Sequence, residues 1–248
     1  MIREYATAYR DLYERHWWWR AREAMLVREI ERLQPARRWG NVLDVGCGDG
    51  LFFGQLARFG EVWGVESDKS LVPPDSPHRS RIHIGPFEAS FKPGRLFGLV
   101  LLLDVLEHLR DPVAALAQAR RLLEPQGRVL ITVPAFPVLW THHDDLNHHF
   151  VRYRKRSLAA VAGQAGLEVL YSRYCFHWLF PVKLAVRGFE RLTGRSAASV
   201  TVPPTRVNRL LLGMTRFEET ALRPLGLPVG SSLLAWCAAV GEQRASSE

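Results

Sequence analysis

Residues 42–50 read Val42-Leu43-Asp44-Val45-Gly46-Cys47-Gly48-Asp49-Gly50, and Leu51 follows. A strand-like apolar run carries an acid near its end, glycines then fall at alternate positions, and a helical segment begins at once. Glycines in such a turn let the backbone approach a ligand closely, and the helix behind it offers unpaired N–H groups. A dinucleotide fingerprint spaces its glycines G-x-G-x-x-G. Here Gly50 comes one residue early and Asp44 sits inside the strand end, and both features argue against NAD. The next strand-like run, Val62–Val65, leads into Glu66. An acid at that point accepts hydrogen bonds from both ribose hydroxyls of an adenosine ligand. Taken singly, the glycines read as a tight turn and Glu66 as a helix cap; together they point to an adenosine-bearing ligand.

Working outward, the same alternation continues. Asn41–Val45, Val62–Val65, Arg81–Ile84, Leu96–Leu103 and Arg128–Val133 read as strands, with helical segments at Leu51–Phe59 and Asp111–Leu123. The second of these is punctuated at both ends, by Asp111 as N-cap with Pro112 behind it, then by Pro125 and Gly127. Near-continuous apolar strands alternating with helices argue for a parallel sheet covered on both faces. The first 34 residues read as helix up to Pro35. Ser157–Ala165 reads as a helix closed by Gly166, and Leu167–Tyr174 as a sixth strand. Phe176–Leu225 looks helical with breaks at Pro181, Gly194 and Pro203-Pro204, and Gly230–Val240 is a seventh, buried strand. The fold expected is α/β: a Rossmann-like, doubly wound, seven-stranded sheet in one domain over 1–248. Residues 1–36 form an N-terminal helical lid, 37–174 the cofactor-binding core, 175–228 a helical insertion and 229–241 the final strand.

Composition bounds the function classes. The 248 residues are 47% hydrophobic and 23% charged, as in a folded soluble protein. Cys47, Cys175 and Cys237 are odd in number and widely spaced, which argues for a reducing compartment and against a disulfide framework or structural zinc. The start, Met1-Ile2-Arg3-Glu4-Tyr5, has no apolar run behind its charge, and no apolar stretch reaches the length of a membrane span. A cytoplasmic location is expected. The net charge of +8 comes almost wholly from arginine; it suits nucleic acid, an anionic membrane or an acidic substrate, and genomic base composition gives the same bias.

These residues resemble the class I S-adenosylmethionine-dependent methyltransferases, from about Tyr13 to Val240. They are nearest the small-molecule group that includes ubiquinone and menaquinone biosynthesis methyltransferases. The matching segments are Val42–Gly50, Val62–Ser67, Leu99–Pro112 and Leu122–Pro134, with Leu103-Asp104-Val105-Leu106-Glu107-His108-Leu109 similar to the group's fourth-strand motif. The resemblance implies S-adenosyl-L-methionine as cofactor, six parallel strands and an antiparallel last one. It implies that Gly46, Cys47, Gly48 and Gly50 back the cofactor and that Asp44 holds its amino group. It further implies that Glu66 takes the ribose, that Phe87 and Glu88 lie beside the adenine, and that Asp104 lines the methionine end. Two positions depart from the family: Gly85-Pro86-Phe87-Glu88 replaces an acidic-alanine pair, and Phe97-Gly98 replaces Phe-Asp.

Methyl transfer to oxygen or nitrogen needs a base, usually His or a carboxylate. Candidates cluster after the fifth strand: Trp140, His142, His143, Asp144, Asp145, His148 and His149, then Arg152, Tyr153 and Arg154. We expect an acceptor-binding loop here with His143 or His149 as base, Arg152 facing an anionic or phenolic acceptor, and Trp140, Asp144 and Tyr153 lining it. His108 is a second base candidate. No pair has the spacing of a named metal motif, so no metal is expected; a merely solvated loop is the plainer alternative. Trp17, Trp18 and Trp19 cannot all face one core, since each helical residue advances about 100°. Trp17 and Arg20 are expected to close the cleft as a lid, with packing onto the sheet as the alternative.

The segment 176–192 mixes apolar residues with Lys183, Arg187 and Arg191, which suits either a core helix or peripheral contact with the inner face of a membrane. A homodimer stays open. The function expected is methyl transfer to an oxygen, or else a nitrogen, of a small-molecule or lipid-linked acceptor. The alternatives are an RNA methyltransferase, which lacks any appended nucleic-acid module here, and a non-catalytic S-adenosylmethionine-binding regulator.

Overall fold

Strands buried on both faces must split their side chains between two cores, because neighbouring residues point to opposite sides. The computed structural model, which describes residues 10–194 and 201–241, shows that division directly. In β1 (Asn41–Val45), Leu43 and Val45 join one apolar cluster and Val42 the other. In β4 (Phe97–Leu103), Val100 and Leu102 face the first cluster while Leu99 and Leu101 face the second. The other strands are β2 (Glu61–Glu66), β3 (Ile82–Ile84), β5 (Leu123–Pro134), β6 (Leu167–Cys175) and β7 (Ser232–Ala239). They form one sheet in the order 3-2-1-4-5-7-6. β7 enters antiparallel between β5 and β6, with Leu130 opposite Trp236 and Tyr174 opposite Leu233. The expected seven strands and the reversed last one are all present.

Helix α1 is described over residues 10–15, and α2 spans Trp17–Leu33. Met25, Leu26 and Ile30 of α2 pack on one face of the sheet, together with Leu212 of α8 (Thr205–Ala221). Leu116 and Ala119 of α4 (Pro112–Arg121) and Leu158 and Ala162 of α6 (Lys155–Gln164) cover the other. Asp111 caps α4 as its sequence required, its carboxylate accepting from Ala114 N at 2.9 Å. Strand order reverses between β1 and β4, and in open α/β sheets ligands bind at such a switch, outside the carboxyl ends of the strands.

Several boundaries differ from the sequence reading. The N-terminal helix is broken at His16, whose Nδ1 accepts from Trp18 N at 3.1 Å and so caps α2; residues 1–9 lie outside the described residues. Leu51–Phe59 contributes only the single turn α3 (Phe53–Leu56) flanked by turns, in keeping with the poor helix propensity of Gly54. Pro181 does not break its helix. It is the third residue of α7 (Leu179–Thr193), within the first turn, where a backbone N–H would have no helical partner. Gly194, at φ +65°, closes α7; residues 195–200 lie outside the described residues. Among the described residues no helix is long and apolar enough to cross a membrane.

Candidate active site

The switch point gathers three acids. Asp44 lies near the end of β1, Glu66 ends β2, and Asp104 follows β4. The chain between Asp44 and Glu66 turns sharply, with Gly46, Gly48 and Gly50 at φ +71°, +55° and +83°. Side chains there would be strained, and a Cβ on Gly46 would also approach Val105 Cγ2 to 2.9 Å. The turn is tied down by Gly46 N donating to Val65 O at 2.8 Å. Glu66 is buried, and its carboxylate accepts from Gly48 N at 2.9 Å and from Asp68 N at 2.8 Å. Two backbone donors therefore fix the acid that the sequence assigned to a ribose. Burial pushes the Asp44 carboxyl up to about 7, against the pull of Arg22 and with a further push from Glu66. Cys47 has its thiol pushed far up by burial and by the neighbouring acids, so it packs rather than reacts.

Arg22, a residue the sequence reading passed over in favour of Arg20, enters this group from α2. Its Nη2 pairs with Asp104 at 2.8 Å, and Thr132 Oγ1 donates to the same acid at 3.1 Å. Asp104 holds φ +59°, a left-handed conformation that Asp tolerates better than most residues. The N-terminal segment also reaches the glycine turn, where Arg10 pairs with Asp49, and Tyr13 donates to Glu23 of α2. A Cβ on Gly48 meets nothing within 4 Å, so the turn faces open space. Amide-fixed Glu66, the other two acids and one guanidinium form a donor set that fits a ribose diol beside an amino-acid zwitterion. These residues fit S-adenosylmethionine.

A second group forms after β5. Residues His142–Leu146 make the short helix α5, with Thr141 and Asp144 in a reciprocal capping box. Asp144 is fully buried and accepts from Arg152 Nε at 2.8 Å and Nη2 at 2.9 Å. Its Oδ1 also lies 2.9 Å from His149 Nδ1. Burial alone would raise Asp144, yet the bonds from His149 and Arg152 hold its carboxyl well below the usual range. The His149 ring meets that of His108 edge-on, with centroids 4.6 Å apart. Beside them Glu107 is buried, its Oε2 without a partner among the described residues, and burial with nearby Asp104 keeps it protonated well above the usual range. One donor atom each from Glu107, His108 and His149 falls within 4.8 Å of the others. That set could hold a divalent cation, although sequence spacing gave no metal motif, because His149 arrives from a different segment.

The remaining sequence candidates separate from these groups. Arg152 does not face an acceptor: its guanidinium is buried on Asp144, with Nη1 donating to Ala135 O at 3.1 Å. Tyr153 is buried, and its hydroxyl meets Leu106 O at 3.4 Å, behind the His108 turn. Trp17 is core, packed on Trp178, and Arg20 is exposed; Trp18 is the half-buried ring that meets Phe176, with Arg22 above its face. His143 is exposed and bonded to Asn147, and Trp140 Nε1 donates to Asp145 at 2.9 Å. Phe87 packs near Phe91, while Glu88 is exposed and accepts from Ser90 at 3.0 Å. Glu107 and Arg22 are the residues sequence reasoning missed. The Leu-Glu-His run held the signal for Glu107, but nothing local marked Arg22 from its neighbouring arginines.

Comparison with known proteins bears on the family and the fold. A family model described as a methyltransferase domain matches residues 18–172. A ubiquinone biosynthesis O-methyltransferase of Cereibacter sphaeroides is 34% identical over 96 residues, which are 36% of this chain and 39% of that protein. The match therefore spans well under half of the relative's length. Among solved structures, the putative methyltransferase in complex with the Haloferax volcanii Trm112 activator superposes at TM-score 0.58. It is 16% identical and covers 95% of this chain and 94% of its own. The N-methyltransferase NodS of Bradyrhizobium japonicum, solved with S-adenosyl-l-homocysteine, superposes at 0.52 with 14% identity over 90% of this chain and 87% of its own. At these identities the superpositions speak for the fold. The extent of the family match says more: the chain belongs to the methyltransferase domain family, as a class I S-adenosylmethionine-dependent methyltransferase.

Proposed function

We propose that this protein methylates an oxygen of a small-molecule or lipid-linked acceptor, with His149 as the base that takes the acceptor's proton. The observation that carries this reading is the His149–Asp144 contact, 2.9 Å from Nδ1 to Oδ1, on an Asp144 held by Arg152. An ionised Asp144 draws the ring proton to Nδ1, which leaves the Nε2 lone pair to accept a proton. Asp144 and Arg152 are then positioning residues that act through His149. His108 is the second candidate base; burial and the neighbouring His149 lower its pKa, which keeps it neutral.

On the cofactor side, Glu66 with the Gly46–Gly50 turn holds the ribose, Asp44 the amino group and Arg22 the carboxylate. Asp104 orients Arg22, and Phe87 flanks the adenine. When bound, the cofactor supplies an electrophilic methyl on a sulfonium centre. The chain's own work is to align the two reactants, which provides much of the rate in an in-line displacement, and to remove one proton. Trp18 and Arg22 of α2 cover the cleft and limit water. The name of the Cereibacter relatives supports oxygen as the acceptor atom. A lipid-linked acceptor is supported by the segment 176–192, where Val182, Phe189 and Leu192 are exposed, whereas Phe176 and Leu179 are core.

The test is incubation of the protein with labelled S-adenosylmethionine and a cell extract, followed by mass spectrometry of the products. An O-methylated product that disappears with His149→Ala, at unchanged cofactor affinity, supports the reading. N-methylated products, or turnover indifferent to His149, overturn it.

A further inference from the structure

Helix α8 carries two unlike faces. Its inner face is bonded into the fold at three levels. Asn208 accepts from Trp17 N at 2.8 Å and donates to Arg15 O at 2.7 Å. Thr215 accepts from Trp178 Nε1 at 3.2 Å. Glu218 accepts from His177 N at 2.7 Å and Trp178 N at 2.8 Å, while Glu219 pairs with Arg173. Both acids of α8 are thereby committed inward.

The outer face is the reverse. Val207, Leu210, Met214 and Phe217 recur at helical spacing, so they form one stripe, and Leu210 and Phe217 are 63% and 72% exposed. Arg206, Arg209 and Arg216 are exposed beside the stripe. None of the three is in an ion pair with another described residue. An exposed apolar stripe of this extent marks an interaction surface. Cations beside it, with no acid facing outward, fit an anionic surface that also accepts apolar side chains.

We infer that α8 is an interfacial helix that seats the protein on an anionic lipid bilayer, its stripe sunk among the acyl chains and its arginines on the head groups. The fold connects this surface to the cleft. Asn208 grips the start of α2, and α2 carries Trp18 and Arg22, the latter on Asp104. Docking through α8 therefore sets the helix that covers the cleft beside the membrane, where an acceptor dissolved in lipid would enter. The choice of acceptor source rests on the methyl-transfer reading; the docking itself does not.

The experiment is co-sedimentation of the full chain with phosphatidylcholine vesicles, with and without phosphatidylglycerol. Binding is expected only with the anionic lipid and is expected to weaken as salt is raised. The pair Leu210→Glu with Phe217→Glu, and separately the triple Arg206→Glu, Arg209→Glu and Arg216→Glu, should each lower the bound fraction about tenfold or more. Calorimetry with S-adenosylmethionine checks that these variants keep cofactor affinity, so loss of vesicle binding is read apart from failure of the active-site assignment. Equal binding to neutral vesicles, or no binding to either, overturns the inference. So does a dimer in sedimentation equilibrium that Leu210→Glu dissociates, since the stripe would then belong to a second copy.

Discussion

The two halves of the cleft are built on opposite principles. On the cofactor side, Asp44, Glu66 and the glycine turn come from one continuous stretch of chain, and the backbone itself supplies the bonds that hold Glu66. On the acceptor side, within one short stretch after β5, His149 is aimed by the Asp144 carboxylate, which is itself buried on the side chain of Arg152. The first half is held by backbone hydrogen bonds made by its own turn and by the end of β2. The second is centred on one buried ion pair, between Asp144 and Arg152. Stability and function should therefore part company at Asp44, Glu66 and His149 and fall together at Asp144.

The largest effect tests that contrast directly. Asp144→Ala leaves Arg152 charged and buried without its partner, which should cost about 3–5 kcal/mol of folding free energy as well as turnover. Chemical denaturation measures it, and an unchanged midpoint would mean that the pair does not hold the loop. His149→Ala should spare stability and lower turnover about 10²–10⁴-fold, the range for a lost general base; single-turnover kinetics would show it. On the other side, Asp44→Ala or Glu66→Ala should weaken cofactor binding by about 1.5–3 kcal/mol, the value of a hydrogen bond to a charged group, with the fold intact. Calorimetry paired with a melting curve separates the two outcomes.

The pH behaviour is a finer probe. In the proposed site Asp44 must be ionised to hold the cofactor's amino group, and burial pushes it up to about 7 in the free protein. Cofactor affinity should rise with pH until about 7 and then level, a slope that Asp44→Asn removes. Because the folded state keeps this proton between the ordinary 3.8 and about 7, Asp44 makes the free protein lose stability as pH rises through that window. The smallest expected effect is His143→Ala. This exposed side chain, bonded only to Asn147 of its own turn, should change turnover by less than about twofold, since surface substitutions away from special features do little. A loss matching that of His149→Ala would move the base to the outer face of the loop.

Much of the fold was legible in sequence because its signals are local. Alternating burial, the Asp111 cap and the left-handed glycines each act within a few residues, so the sheet and the cofactor turn could be read directly. The misreadings share a cause. Pro181 looked like a break because its place in the first helical turn was not known, and Arg152 looked like a ligand because its partner could not be seen. The sequence favours Trp17 over Trp18 as the lid for the same reason: which ring is buried depends on the break at His16.

The sequence by itself determined the strand and glycine turn that are proposed to receive the cofactor, since a glycine's conformational freedom and an acid at a strand end need no distant partner. Only the tertiary structure decided which histidine is aimed, which arginine meets Asp104 and which apolar stripe stays uncovered. The Arg22–Asp104 pair and the α8 stripe depend on segments far apart in the chain, while Asp144, His149 and Arg152, though close in sequence, gain the strength of their bonds only once that segment is folded and buried.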